Sequence, residues 1–595
     1  MKRNPFKRPF ALGLAGAMAL SMAACGSSSS STASSTVAES ASESAESTAQ
    51  FNIGEVGTTT SADVPTITLY PRDANLTSGL VSGFKGDYFA SRGFNVEVWA
   101  YSDEKTNAIM ASGDMPDIMY IPTKNVDDMI DSGMLLNLDD YLDQMPHVQS
   151  YEGLDTALNF VREYRSNDTG SVYVMPLIVG DNAARYQNYD PTERNAVKLN
   201  WSAYEAAGYP EITSMDDLLD TTEAMLDAMP TAEDGNPMYG TVLNSGSDTS
   251  YWASMVMWYR MQGYSENELS YLLEMNMADS TVSSILSEDS MYYKGLKWYN
   301  SAYKRGLIDP DSISNDRATQ KPKVDKGYTM TPSGYLPGWA PDYLPVYVPG
   351  TKVYYNYNSP YGDANYVIGI NAKTENLEAC LNFIDMLADP NAYLWCRSGP
   401  AGGSWDVDEN GVAALTDAGM TAAKENGLTY SFKLESGEEV AIWNTPWIVS
   451  DGGCMTTYTD SEGNPRPAMI NVWDEVQEIT SNNGKYLAWQ EQTGYDNWMD
   501  WLKAEGAYSA SSDLDNLKSF ESIPDDMMQL TIDSIKDIVT TDSWKMVYAE
   551  SDADFDALWD QMVSDCEGLS AEDIISWRLA DIENAKAIRD SLAAN

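Results

Sequence analysis

The chain is 595 residues long and carries 89 acidic against 37 basic residues, a net charge of −52. So acidic a surface repels phosphate backbones, which excludes nucleic acid as a partner and suits exposure to water at a cell surface. The length demands more than one hydrophobic core. Of the five cysteines, none stands in the CxxC spacing of a zinc or dithiol site, and whether Cys380 and Cys396 pair is left open by their spacing.

The basic head from Met1 to Arg8 precedes an apolar stretch from Phe10 to Ala24. That stretch is shorter than the roughly 20 residues a permanent membrane span needs, so residues 1–24 read as a secretory signal. The signal breaks at Met22-Ala23-Ala24-Cys25-Gly26, which resembles the lipobox of bacterial lipoproteins, with Met22 where that pattern usually has Leu. The resemblance implies lipidation of Cys25, with palmitate among its acyl chains, and anchorage at the extracellular face of the cell membrane. Residues 25–62 are nearly all Ser, Ala, Thr, Gly and Glu. They are expected to form a disordered linker with a reach of about 30–35 Å.

The folded part opens with a short apolar strand, Pro65–Pro71, then a helix near Ser82–Ser91. A strand Asn95–Ala100, a helix Asp103–Ser112 and a strand Pro116–Ile121 follow. Strands alternating with helices predict an α/β fold with a parallel sheet and crossover helices. Ligands of such sheets bind at the carboxyl ends of the strands. That rule points to Arg72 and Asp73 after the first strand and to Tyr120, Thr123 and Lys124 after the third.

Ala111-Ser112-Gly113-Asp114-Met115-Pro116-Asp117-Ile118, and then Gly133-Met134-Leu135 through Asp139-Asp140-Tyr141-Leu142, resemble two consecutive signatures of a known family. Tyr173-Val174-Met175-Pro176, Gly306-Leu307-Ile308-Asp309-Pro310-Asp311 and Ile368-Gly369-Ile370-Asn371 continue the likeness in the right order. The family is that of the extracellular solute-binding proteins (family 1, oligosaccharide-type) that serve ABC importers. Around Leu199-Asn200-Trp201 the likeness is partial, with Asn200 in place of an acid. The resemblance implies a two-lobe, periplasmic-binding-protein-like (type II) fold with a hinge and a ligand cleft. Residues 64–180 plus 366–440 are expected to form lobe I, and 181–365 plus 441–595 lobe II with C-terminal helices.

A sugar ring offers C–H groups on its faces and hydroxyls at its edge, which Trp and Tyr meet with a flat face and a polar tip. The chain has 17 Trp and 37 Tyr against 11 Phe. Trp339, in Met330-Thr331-Pro332-Ser333-Gly334-Tyr335-Leu336-Pro337-Gly338-Trp339, lies in a turn resembling the one that carries a stacking aromatic in sugar-binding members. Tyr335 and Tyr343 compete with it, Trp447 is a further candidate, and Asp181 and Arg185 are candidate polar contacts. Trp252 and Trp258 fall in a segment that reads as a buried helix. Asp406, Asp408, Asn410, Gly411 and Asp417 occupy positions 1, 3, 5, 6 and 12 of a calcium-loop pattern, though position 12 normally carries Glu. The simpler reading is a turn between two strands, so no cofactor is expected and calcium is the one alternative.

Catalysis finds little support in the sequence. There is a single histidine, His147, with no nucleophile marked beside it, and no Gly-rich phosphate loop. The expected function is that of a membrane-anchored receptor handing a small solute, an oligosaccharide by preference, to ABC permease subunits. A receptor for peptides or other polar solutes is the alternative within the same fold. A surface carbohydrate-active enzyme or an adhesin is the alternative outside it.

Overall fold

The computed structural model describes residues 64–593 apart from 73–75, 152, 180–195, 244–252, 332–342, 356–358, 427–431, 435–436, 438, 441–447, 449–454, 469, 471–472, 482–483 and 511–516. The signal, Cys25 and the linker lie outside the described residues. No helix among the described residues is long and apolar enough to cross a membrane.

The first lobe is built on strands β1 (Thr66–Tyr70), β2 (Gly79–Leu80), β3 (Asn95–Val98) and β4 (Ile118–Pro122), with helices α1 (Gly83–Ser91) and α2 (Asp103–Ser112) between them. β3, β1 and β4 run parallel, as the alternation of strands and helices predicts. Four of the five β4 residues are buried, as a strand covered on both faces requires. The short α3 (Pro146–Ser150) and then α4 (Leu154–Tyr164) lead to β5 (Met175–Pro176).

The second lobe carries a sheet made largely of single bridges. Strand β6 (Lys198–Asn200) pairs antiparallel with β7 (Tyr343–Pro345). Asn200 donates its amide to the Met330 carbonyl, Met330 to Tyr239, and Thr241 to Leu307. Helices α5 (Met215–Ala228), α6 (Ala253–Met261) and α7 (Met291–Lys304) pack around it. The chain leaves this lobe through β8 (Val353–Tyr355) and re-enters the first sheet as β9 (Tyr366–Ile370). β9 lies antiparallel between β4 and β5, giving the order β2-β3-β1-β4-β9-β5.

Helices α8 (Leu377–Met386) and α9 (Pro390–Ser398) cover the first sheet and are followed by a hairpin, β10 (Trp405–Val407) and β11 (Ala413–Leu415). Ile448, Tyr458, Ile470, Trp473 and Val476 also join the first core. The sequence-level division at 441 draws these residues with the second lobe, whereas the packing draws them with the first. Strand β12 (Tyr508–Ala510) pairs parallel with β8. Three helices, α10 (Asp526–Val547), α11 (Asp552–Gly568) and α12 (Ala571–Ala593), then pack onto the second lobe's core.

The Ser-Gly-Asp-Met-Pro-Asp signature turns out to be framework. Ser102 caps α2 by accepting from the Lys105 amide. Gly113, at φ +73°, ends that helix in the left-handed conformation that glycine takes without a Cβ penalty. Asp117 then latches three segments. Its Oδ2 accepts from the amide and hydroxyl of Thr68, each at 2.8 Å, and its Oδ1 from the Thr374 hydroxyl at 2.6 Å. Asp309 of the Gly-Leu-Ile-Asp-Pro-Asp motif plays the same part in the second lobe, accepting from Lys323 and Asn315 in full burial.

Cys380 and Cys396 are separate buried thiols, each pushed up to about 12 by burial. His147 sits at the first turn of α3. Its Nδ1 faces Asp385 at 2.7 Å and its Nε2 faces Asp389 at 3.5 Å, on the same Oδ2 that Arg92 holds at 2.7 Å. Both ring nitrogens thus face carboxylates, and neither faces a nucleophile.

Two outcomes are expected. Asp117→Ala leaves the Thr68 amide unpaired and costs on the order of 3 kcal/mol, read as a lower urea midpoint. His147 is raised above its ordinary value, chiefly by the Asp385 hydrogen bond and then by the Asp389 charge against an opposing burial effect. Its contribution to stability is therefore complete below the unfolded histidine pKa of about 6.5 and is lost as pH rises through the raised folded value. Melting temperature measured across that window falls with rising pH in the wild type, and this slope flattens in His147→Gln.

Candidate ligand-binding edge of the first lobe

The carboxyl ends of β1, β3 and β4 lie at one edge of the first sheet. Because β9 is antiparallel, its first residue, Tyr366, stands opposite Pro122 at that same edge. Four elements thereby deliver side chains to one place. Arg72 follows β1, Trp99 and Tyr101 follow β3, Thr123 follows β4, and Tyr366 opens β9.

Arg72 donates to Asp363 at 2.9 Å and lies over the Tyr366 ring at 4.5 Å. Its side chain is 41% exposed while that of Asp363 is 10% exposed, so the carboxylate is held within and the guanidinium faces outward. Thr123 donates its hydroxyl to the Ala364 carbonyl and its amide to the Asn365 carbonyl, both at 2.9 Å. Tyr101 donates to Asp103 at 2.6 Å. That bond, with partial burial and the neighbouring Tyr366, holds the phenol well above the usual tyrosine range. Lys105 lies 4.8 Å over the half-buried Trp99 ring. The Tyr70 ring, 5.8 Å from that of Tyr101, is buried, and its hydroxyl donates to the Ser102 carbonyl. Three part-exposed aromatic rings thus share the edge with an outward cation braced by a carboxylate, which suits a ligand with flat apolar faces and polar rims.

The backbone beside this edge is strained. Ile178, just past β5, has φ +54°, a conformation in which a β-branched residue crowds its own carbonyl. It is bracketed by Val179, whose amide donates to the Ile448 carbonyl and whose carbonyl accepts from the Tyr151 hydroxyl. Gly362, at φ +89°, brings the segment leading into β9 against β5. A Cβ there would stand 2.9 Å from both the Leu177 carbonyl oxygen and the Pro176 Cβ.

Of the residues the sequence singles out, Arg72 and Thr123 are brought together by their shared hold on the 363–366 segment. Asp73, Asp181, Arg185, Tyr335, Trp339, Trp447 and Trp252 lie outside the described residues. Tyr343 is 2% exposed and its hydroxyl is engaged by Thr329, so it belongs to the second lobe's interior. Tyr120 and Trp258 are buried as well. Asn200 caps a short helix by accepting from the Ala203 amide, and donates to the Gly327 and Thr329 carbonyls.

Of the calcium-loop candidates, Asp408, Asn410 and Gly411 form the hairpin turn between β10 and β11, while Asp406 lies within β10 and Asp417 opens a helix after β11. Asp408 accepts from the amides of Asn410 and Val412, Asp406 accepts from the Val407 amide, and Gly411 donates to the Asp408 carbonyl. Among the described residues no group of three or more His, Cys, Asp or Glu side chains is placed to hold a metal ion.

Trp99, Tyr101, Asp363 and Tyr366 were missed from sequence. The available signal for the last two was the return strand itself, since the residues just before an antiparallel strand must lie at the edge where its parallel neighbours end.

No protein-family model matches the chain, and no curated protein matches it. Solved structures do share its fold. One is an HMO-binding, ABC-transporter-associated solute-binding protein from Bifidobacterium longum infantis, at 14% identity and TM-score 0.54, covering 87% of this chain and 99% of that one. Another is an extracellular solute-binding protein from Bifidobacterium longum subsp. infantis, at 14% identity and TM-score 0.55, covering 89% and 100%. A third is the ABC-transporter substrate-binding protein FusA of S. pneumoniae in complex with kestose, at 14% identity and TM-score 0.55, covering 88% and 99%. The chain therefore has the two-lobe α/β fold of the extracellular solute-binding proteins of ABC transporters.

Gly362→Ala tests the close approach at the edge. It adds the Leu177 and Pro176 collision to the left-handed penalty, and is expected to cost about 1–3 kcal/mol in thermal or chemical unfolding. Gly350→Ala, at φ +91° with open space around it, serves as control and costs less.

Proposed function

We propose that the chain captures a small solute, an oligosaccharide by preference, between its two lobes and presents it to the permease subunits of an ABC importer. It does so tethered to the outer face of the cell membrane through a lipid on Cys25 and the linker at 25–62. Binding is the whole of its chemistry: contact with both lobes favours a closed form by differential affinity. ATP hydrolysis belongs to another subunit.

The observation that carries this reading is the edge of the first sheet, where Trp99, Tyr101 and Tyr366 flank the braced Arg72 within a solute-receptor fold. Rings able to stack on sugar faces stand there beside groups able to bond hydroxyls. Support from likeness lies in the fold neighbours, which include an HMO-binding protein and one in complex with kestose. From the second lobe, Trp339 is proposed as the opposing aromatic, with Tyr335, Trp447, Asp181 and Arg185 as further contacts.

The test is a thermal-shift screen of the mature protein against panels of oligosaccharides, kestose and milk glycans included, and of peptides. An oligosaccharide is expected to raise the melting temperature. Tyr366→Ala and Trp339→Ala are each expected to fold normally and to lose most of that ligand's affinity by calorimetry, because stacking contributes about 1 kcal/mol or more per ring. A shift produced only by peptides would replace the sugar with a peptide, and undiminished affinity in both variants would move the site elsewhere.

A further inference from the structure

The core of the first lobe meets one of the second lobe's two cores at α4. Leu154, Ala157, Leu158 and Val161 of this helix pack in the first core, yet Phe160 is buried in the second. Its ring lies 5.3 Å from Phe520 and 5.2 Å from Tyr361, and Phe520 in turn touches Tyr361 at 5.0 Å and Tyr164 at 5.8 Å. Tyr361 belongs to the segment that crosses from β8 to β9. A helix of the first lobe, a crossing segment and residues 519–522 thus join in one aromatic contact. Polar bonds reinforce it: Arg165 donates to the Ser519 carbonyl at 3.1 Å, and the Ser359 and Ser519 hydroxyls stand 3.4 Å apart.

Residues 519–522 are fixed from behind by α12. Arg578, 1% exposed, donates through Nε and Nη2 to the two oxygens of Glu268 at 2.7 and 2.9 Å. It also pairs with Glu521 at 2.7 Å and with Asp581 at 2.9 Å. The guanidinium lies over the Tyr271 ring at 4.5 Å, and Asp581 accepts the Ser522 amide on both oxygens, at 3.1 and 2.9 Å. A buried guanidinium engaged on every side by three carboxylates has one geometry open to it.

We propose that Arg578 is a positioning residue for the solute cleft, setting the pivot about which the two lobes move. It clamps 519–522, which seats Phe520 against Phe160 and Tyr361. That contact anchors the crossing segment, whose far end places Asp363 and Tyr366 beside Arg72. The part played at the cleft rests on the solute-capture reading, while the pivot stands on packing alone.

Electron–electron distance measurements on the full-length chain separate the two. Spin labels are placed one on each lobe, at the exposed positions Glu104 and Asp227. Without ligand, the wild type gives a narrow distribution. Arg578→Lys keeps the charge and loses the fork, and it is expected to broaden and shift the distribution while retaining a cooperative melt. Phe520→Leu, which leaves the ion cluster whole, does the same and serves should Arg578→Lys fail to fold. Lys586→Met, on the same helix but in an exposed ion pair with Glu583, leaves the distribution unchanged. Wild-type distributions in folded Arg578→Lys and Phe520→Leu overturn the proposal. Altered distributions in both, with no glycan or peptide of the panels contracting even the wild type, uphold the pivot and remove the solute-capture reading instead.

Discussion

The direction of one strand governs the arrangement of this molecule. β9 enters the first sheet antiparallel to β4, with Tyr366 opposite Pro122 and Ile370 opposite Ile118. The chain returning from the second lobe must therefore arrive at the edge where β1, β3 and β4 end. A parallel return would arrive at the opposite edge and leave Arg72 and Thr123 without Asp363, Tyr366 and the Ala364 and Asn365 carbonyls. The close approach at Gly362 and the bond from the Asp363 amide to the Leu177 carbonyl follow from the same geometry, because β5 lies on the far side of β9. The candidate ligand edge and the link between lobes are consequently a single stretch of backbone.

The short motifs that identify the fold are, in this chain, framework residues. Asp117 ties β1 to the turn at Thr374, Asp309 gathers Lys323 and Asn315, and Asn200 caps a helix while holding the 327–329 turn. Each is a polar group whose burial is tolerable only when its bonds are satisfied, so residue type and spacing are both constrained. The part-exposed rings and the guanidinium of the candidate edge also reach water, so their bonds with Asp103 and Asp363 constrain residue type and spacing less. Motif likeness thus transmits architecture more faithfully than ligand preference.

This difference explains what could be read from the sequence. β1, β3 and β4 were legible because each is a short, largely apolar run bounded by turn residues, and α2 because Ser102 and Gly113 mark its ends. The rule that ligands meet parallel strands at their carboxyl ends then named Arg72 and Thr123. The partners of Arg72 were missed because Asp363 lies 291 positions along the chain, and only the direction of the return strand, not a local pattern, marks the pairing. Tyr343 shows the converse failure: it stands in an aromatic-rich loop that reads as a binding surface, but pairing with β6 turns its ring inward to Thr329. The second lobe's sheet, held in part by single bridges, is too interrupted to produce a period of two. Nor does composition reveal that Arg578 meets Glu268, because the two are brought together only when the C-terminal helices pack.

Sharing one segment between edge and crossing has a mechanical consequence. The stretch from Ser359 to Tyr366 is fixed at one end by Phe520 and Ser519 and at the other by Arg72, Thr123 and the β9 ladder. A solute that engages Tyr366 or Arg72 on the proposed reading acts on backbone that also bears on the contact between the two cores. Closure then needs no long relay of side chains, only a difference in how firmly the short segment is held in the two forms. The aromatic contact at Phe160 is well suited to that role, because edge-to-face rings tolerate small rotations while excluding water, whereas the ion cluster behind it does not yield. One side of the junction is therefore a ring contact and the other a buried ion cluster, and on the proposed reading any change in lobe angle is taken up on the aromatic side.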